Sequence, residues 1–271
     1  MYIIYSMEQN LSVLMSSLAN SWKTKDIDNK YHITELTLNQ QQAFLATAFD
    51  QYDKPAKTWK AFNNVINECV SFLTAEKKNI TVLERPYLIR ELRDLTLGNK
   101  LTKVTQDEQG EEKKTEYTLK KIKFSDLDKV KTTETISVTP AISITLTVPD
   151  LQRDNFINQQ LLNQLNNIKR NASANRQEVN PGEITVLYYH YELIKFINSI
   201  TVNDIEYDFK NMLPSEQLHA IKSLNMATTT KIGDFIQSIK KFEELAFTGI
   251  NKVTGEEEVF QMDQTIFSKE V

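Results

Sequence analysis

A single cysteine, Cys69, occurs in the 271 residues of this chain. One thiol cannot form an intrachain disulfide, so the fold must rest on its core, and the composition suits a reducing compartment. The three histidines, His32, His190 and His219, lie far apart in sequence. No two of them share a metal-ligand spacing, and with one cysteine they do not build a zinc site, so neither metal nor cofactor is expected. Glycine and proline are scarce, six of each. Sites that cradle phosphates use glycine because backbone must approach the ligand closely. The patterns G-x-x-x-x-G-K-[ST], G-x-G-x-x-G and G-x-S-x-G are all missing. No run of 18 apolar residues is present, so no membrane-spanning helix is expected. The first eight residues lack a basic region, and Glu8 interrupts their apolar run, which argues against a signal peptide. Positive charge is not in excess either: 32 Lys and Arg against 36 Asp and Glu give a net charge of −4, with a pI of about 5.6. Nothing electrostatic points to nucleic acid or to an anionic membrane as a partner.

What is present is ordinary for a globular protein, 40% hydrophobic and 25% charged, with enough chain for one or two domains and a sizeable core. Leu11, Leu14, Met15 and Leu18 have helical spacing, which predicts a short amphipathic helix near 8–22 inside an N-terminal arm, 1–30. Residues 31–100 read as a helical subdomain. A short strand from Tyr31 leads into a helix through about Tyr52 with Phe44, Leu45, Ala48 and Phe49 on its face. A second helix is predicted near 57–76 on Trp59, Phe62, Val65, Ile66, Cys69, Val70 and Leu73. Cys69 sits inside that stripe and reads as a small buried hydrophobe. A third helix, 82–97, completes an antiparallel bundle.

Residues 101–149 change character and read as a β insertion. Leu101–Thr105 and Thr115–Phe124 flank an acidic tip and predict a hairpin. Glu134–Val148 reads as a third strand, with Pro140 at a bulge or edge. Residues 150–245 form a C-terminal helical half. Its helices are expected from Asp150 to about Asn171, from Ile184 to Ile200, from Pro214 to about Met226, and from about Thr229 to Leu245. A turn at Asn203-Asp204 lies between the second and third. The tail, 246–271, closes as a β-hairpin. The class is α+β, with helices dominant: an N-terminal bundle, a central antiparallel β segment, and a helical half with a short β tail.

The best-defined stretch is Ile80–Lys100. Thr81 and Glu84 have capping-box spacing, Leu88, Leu92 and Leu95 form a stripe, and Gly98 can take the left-handed conformation that ends a helix. Pro86 predicts an irregular first turn and a regular helix from near Glu84. The charges Arg85, Arg90, Glu91, Arg93 and Asp94 occupy the other positions. This stretch resembles phage tail proteins of the T-even baseplate family, in which a leucine-threonine and an acid-arginine precede a leucine-arginine and a leucine-glycine. The matching residues are Ile80-Thr81, Glu84-Arg85, Leu88-Ile89, Leu92-Arg93 and Leu97-Gly98, with Ile at 80 in place of Leu and Glu at 84 in place of Asp. Tyr191–Ile200 and Pro214–Leu218 are similar to the family's C-terminal helices. Some relatives carry paired cysteines in the β insertion. Lys and Thr stand there in this chain, so a zinc ribbon does not transfer.

The resemblance implies a non-enzymatic protein that helps to build, or sits in, the baseplate hub of a contractile tail through contacts with hub or tail proteins. It would act in the cytoplasm of an infected bacterium and could remain in the virion tail. Thr81, Glu84, Leu92 and Gly98 are then structural motif residues. Arg85, Arg90 and Arg93 are candidates for bidentate contacts with a partner's carboxylates, in competition with intramolecular pairs such as Arg90 with Asp94. The Asn/Gln-rich helix 151–171 and the N-terminal helix are further candidate surfaces. Two alternatives stay open: a permanent structural subunit, whose interface would be larger and more apolar, and a hydrolase, which would need a cleft joining His190 or His219 to a carboxylate. The basic-aromatic run Lys120–Phe124 and the cluster Tyr188–Tyr191 read as a solvated strand end and as helix packing.

Overall fold

The computed structural model describes residues 21–47, 53–75, 79–106 and 109–268. The predicted helix near 8–22, apart from its last two positions, and the positions Ala48, Phe49, Asp107 and Glu108 lie outside the described residues. Among the described residues, seven α-helices and eleven strands alternate in an α+β arrangement with three antiparallel sheets.

The chain begins with a hairpin, β1 (Thr24–Ile27) and β2 (Tyr31–Thr34). Asp28 and Asn29 turn it with φ of 48° and 52°, values that short polar side chains tolerate best. Helix α1 (Leu38–Ala46) and helix α2 (Lys54–Cys69) follow. The second ends earlier than its periodicity predicts. After Cys69 the chain extends as β3 (Val70–Phe72) and pairs with β2. The N-terminal region is therefore a three-stranded sheet with helices, not a helical bundle alone, and α2 packs most extensively against a helix of the C-terminal half.

Helix α3 (Arg85–Leu97) is the central element. The residue before the helix, Glu84, accepts hydrogen bonds from the Thr81 backbone N–H at 2.9 Å and the Thr81 hydroxyl at 3.0 Å. Only half of the expected capping box forms, because the Thr81 hydroxyl donates to the carboxylate rather than accepting from the first turn. Pro86 fits at the start of the helix, where its missing N–H breaks no helical bond. Gly98 ends the helix at φ 84°, ψ 175°, an extended mirror-image conformation rather than the left-handed helical one expected.

The predicted central β segment does not form a unit. Its first hairpin, β4 (Lys100–Gln106) and β5 (Glu112–Leu119), joins the C-terminal hairpin β10 (Thr248–Asn251) and β11 (Glu257–Val259) in the order β11-β10-β5-β4. Its second part is two strands, β6 (Thr133–Thr139) and β7 (Ile142–Thr147), with Pro140 in the turn between them and not at a bulge within one strand. They are extended by β8 (Ile197–Val202) and β9 (Ile205–Asp208) into the order β6-β7-β8-β9.

The helices of the C-terminal half are α4 (Leu151–Ala174), α5 (Pro181–Phe196), α6 (Pro214–Lys222) and α7 (Met226–Ala246). Asp150 caps α4 by accepting from Arg153 N–H at 2.7 Å. Helix α5 stops four residues short of the expected Ile200. From Ile197 the chain enters β8, where Ile197 and Ser199 are buried and their neighbours are less so, a period of two that overrides the helical pattern. Asn203 and Asp204, at φ 49° and 65°, form the β8–β9 turn where it was expected.

One buried cluster runs through most of these elements. Phe44 of α1, Phe62 of α2 and Phe267 near the C-terminus meet in it, with Phe44 and Phe267 stacked at 4.7 Å. Cys69 is buried, as its stripe implies.

Candidate functional site

The three arginines of α3 are inside the fold, only 4%, 2% and 0% exposed at Arg85, Arg90 and Arg93. A buried guanidinium is tolerated only when its donors are met. Arg93 meets them on main-chain carbonyls, with Nε to Ile266 O at 2.8 Å, Nη2 to Lys100 O at 2.7 Å, and Nη1 to Gly98 O. Arg90 does the same with Ala246 O at 3.1 Å, Leu119 O at 3.3 Å and Lys120 O, and it also reaches Asp94 at 3.4 Å. These two arginines tie the end of α3, the β4 and β5 strands, the end of α7 and the C-terminal turn together. Both are buried with their donors met inside the fold, so in this structure they are not presented at the surface for the partner contact expected of them. The Arg90–Asp94 pair is the intramolecular alternative realised.

Thr81 and Glu84 are structural in the same sense. Glu84 also accepts from the hydroxyl of Tyr31 on β2 at 2.6 Å. Burial first, and then the adjacent Glu84, raise the pKa of that phenol, so it stays protonated as a donor. Leu92 is fully buried.

Arg85 is different. Its Nη1 donates to Asp154 Oδ2 at 2.8 Å and to Asn63 Oδ1 at 3.2 Å. Its guanidinium lies 4.2 Å from the ring centroid of Trp59. The nearest anion to Nη2 is Glu243 Oε1, at 3.7 Å, beyond a good hydrogen bond. The buried Nε has no hydrogen-bond partner. One edge of the fork is met and the other, shielded from solvent, is not.

Asp154, on α4, is the centre of this network. It also takes Lys195 Nζ at 2.9 Å, Asn63 Nδ2 at 2.8 Å and Asn158 Nδ2 at 3.1 Å. Burial alone would raise its pKa, but Lys195 and Arg85 outweigh that and hold it well below the ordinary carboxylate range. Lys195 is buried as well, which would lower its pKa, yet Asp154 and Glu192 raise it. Glu192 bridges Lys195 and Lys240, both at 3.2 Å, and those cations hold its pKa down against the effect of burial. Glu243 goes the other way: burial raises its pKa, and Arg85 and Lys240 only partly offset this.

The network forms the floor of a cleft of about 310 Å³, with Trp59, Tyr188, Tyr189, Phe196 and Ile239 among its apolar walls. Sequence reasoning placed Tyr188 and Tyr189 in helix packing, but Tyr189 is 48% exposed at the rim. Among the described residues, no histidine lines the cleft. His32 contacts Asp26 at 2.6 Å on the surface of the first hairpin, remote in kind from such a cleft. Among the described residues no group of three or more His, Cys, Asp or Glu could hold a metal ion, and no helix is long and apolar enough to cross a membrane.

A second exposed feature is the edge strand β9. Ile136, Ile144, Ile200 and Tyr207 share one cross-strand row, and Ile142, Val202 and Ile205 share the next. Directly opposed residues lie on one face of a sheet, so this face is apolar from β6 to β9. Helix α7 packs against β6, and Ile136 and Ile144 are buried, whereas Ile205 and Tyr207 are exposed. The apolar face outruns its cover. The sequence signal for this was the alternation of Ile205-Glu206-Tyr207-Asp208, read only as part of a turn segment.

Motif residues that close the fold, a small aromatic-walled cleft and an uncovered sheet edge describe a protein whose outward features suit contact with other proteins. The family model described as T4 bacteriophage base plate protein matches residues 18–267, and the chain belongs to that family. No curated protein and no solved structure matches the chain.

Proposed function

We propose that the protein acts in building the baseplate hub, as a non-enzymatic assembly factor that works through contacts with hub or tail proteins in the infected cell. The observation that carries this reading is the family match over residues 18–267. The structure supports it in two ways. The motif charges that could have served chemistry are buried and engaged in holding the fold. The exposed Ile205 and Tyr207 on an edge strand offer apolar surface and unpaired backbone groups of the kind a partner can cover. A hydrolase would need His190 or His219 beside a carboxylate in a cleft, and neither lines the one described.

The test is copurification of the tagged protein from infected cells, with mass spectrometry of purified virions alongside. Capture of hub or tail proteins together with absence from mature virions is the expected result. Fixed stoichiometry in virions would instead make it a resident hub subunit. Capture of no tail protein would overturn the reading.

A further inference from the structure

We propose that the aromatic-walled cleft binds an acidic side chain of a partner protein, its carboxylate bridging Nε and Nη2 of Arg85 and an apolar neighbour of that acid lying against Trp59 and Tyr189. The proposal rests on the reading of this chain as a protein that acts by protein contacts, and it adds the chemistry of one contact.

Two observations carry it independently. The first is the unmet edge of Arg85. Nη1 is held by Asp154 and Asn63, which fixes the guanidinium, and Trp59 at 4.2 Å fixes its plane. Nε remains unpartnered although the residue is 4% exposed. A buried donor left unmade is costly, the more so when it is charged, so an acceptor that completes the fork recovers that loss. A carboxylate matches the Nε–Nη2 spacing in bidentate geometry. The second is the shape and lining of the cleft. About 310 Å³ lies at the small end of ligand pockets and suits one or two side chains. Its aromatic walls resemble the desolvated sockets in which interface anchors sit.

Charge decides between an acidic and a basic guest. The groups that face the cleft are Arg85, Lys195 and Lys240 against Asp154, Glu192 and Glu243. Asp154 and Glu192 already hold cations at 2.8–3.2 Å. Glu243 is 3.7 Å from Arg85, and burial pushes it toward its neutral form. Glu243 is therefore the one carboxylate of the lining without a close cation, and removing its charge would leave the lining net positive. Glu243 is thus the internal competitor of the guest.

The test uses the full-length Trp22→Phe protein, so that Trp59 is the only tryptophan reporter. The probes are acetyl-Phe-Glu-Leu-amide, its Gln counterpart, and sodium acetate. A saturable change in Trp59 emission is expected, with the Glu peptide about tenfold tighter than the Gln peptide, the difference of one charge-assisted contact. Glu243→Gln should tighten the Glu peptide, and Tyr189→Asp, at an exposed rim position, should weaken it. Arg85→Lys should abolish the preference of Glu over Gln, because an ammonium has no fork. Equal binding of the two peptides overturns the proposal, and so does acetate that competes at the same concentration as the Glu peptide. In infected cells, tail proteins captured equally by wild type and Tyr189→Asp would overturn the cleft while leaving the baseplate role intact. Capture by neither would overturn that role, and the peptide titration would still judge the cleft.

Discussion

Replacing Asp154 by Asn should unsettle the protein more than any other single conservative change. Asn keeps the size of the side chain but removes the charge that compensates Arg85 at 2.8 Å and Lys195 at 2.9 Å, and it sets an NH2 donor among partners that are themselves donors. Breaking a buried ion pair from one side costs about 3–5 kcal/mol, because the other charge is left in a low dielectric. At the scale of a chain this long, 1 kcal/mol moves Tm by roughly 2–4 °C, so a fall of about 6–20 °C is expected. The pH dependence has a definite sign. The folded-state pKa of Asp154 lies below its unfolded value, about 3.9 for a free Asp. Its contribution is therefore complete above about pH 4 and is lost as pH falls toward the folded value. Urea unfolding followed by circular dichroism should show a gap between wild type and D154N that is full at pH 7 and narrower at pH 3. Adding Lys195→Met to D154N removes one orphaned charge and should recover part of the loss, a coupling expected of groups in one network. A gap below about 1 kcal/mol at pH 7, or one that does not change with pH, would refute the argument that this network is held by compensation of buried charge.

Arg93→Lys keeps the charge but cannot reach three carbonyls, and should lose about 2–3 kcal/mol in urea unfolding, with earlier hydrogen exchange near Ile266. Gly98→Ala and Gly249→Ala should each cost about 1–3 kcal/mol, for different reasons. At Gly98 nothing lies within 4 Å of a built Cβ and the cost is backbone strain at φ 84°, whereas at Gly249 the Cβ would sit 2.8 Å from Phe260 Cε2 and 3.1 Å from Tyr117 Cβ. Phe260→Leu should therefore rescue Gly249→Ala and not Gly98→Ala in thermal melts. The Cys69 thiol, pushed up to about 11 chiefly by burial, should be inert to a disulfide reagent at pH 8 and react only on unfolding. A chain ending at Ala246 loses β10, the Ile266 carbonyl and the Phe267 ring stacked on Phe44. Limited proteolysis should then cut within β5, whose pairing with β10 is lost, and should not cut there in the full-length chain.

Much of the fold was legible because the signals were local. The amphipathic stripes of α2, α4 and α7, the Asp150 cap, the Asn203-Asp204 turn and the closing hairpin all rest on residues a few positions apart. What was not legible depended on partners far away in sequence. Val70–Phe72 continues a helical stripe, yet β2 waits to pair with it, so tertiary pairing overrides local periodicity. Ile197–Val202 behaves the same way, because β7 on one side and β9 on the other complete its hydrogen bonds. The strands at 100–119 and 133–147 adjoin in sequence but are completed by different C-terminal segments, Thr248–Asn251 and Ile197–Val202, and no composition shift marks that division.

The arginines of α3 show why the site was harder to read than the fold. On a helix with one dry side, charge marks the wet side, and Arg85, Arg90 and Arg93 were placed by that rule. Helix α3 is instead buried at every position from Arg85 to Arg90 and again at Leu92 and Arg93. It is enclosed by β2, α2, α7 and the C-terminal turn. Several strand and helix ends converge there, and each leaves a carbonyl without a partner in its own element. A long cation with five donors is the side chain best suited to meet several such carbonyls at once, so charge here marks a junction rather than the solvent. The residues that carry the family resemblance are thereby the ones that close the fold. Two of the three arginines are exhausted by that task, and the third keeps one edge facing the cleft. On the reading proposed above, partner recognition falls at the cleft lined by Arg85 and along the uncovered strand β9, and these are the two places where substitutions should separate binding from stability.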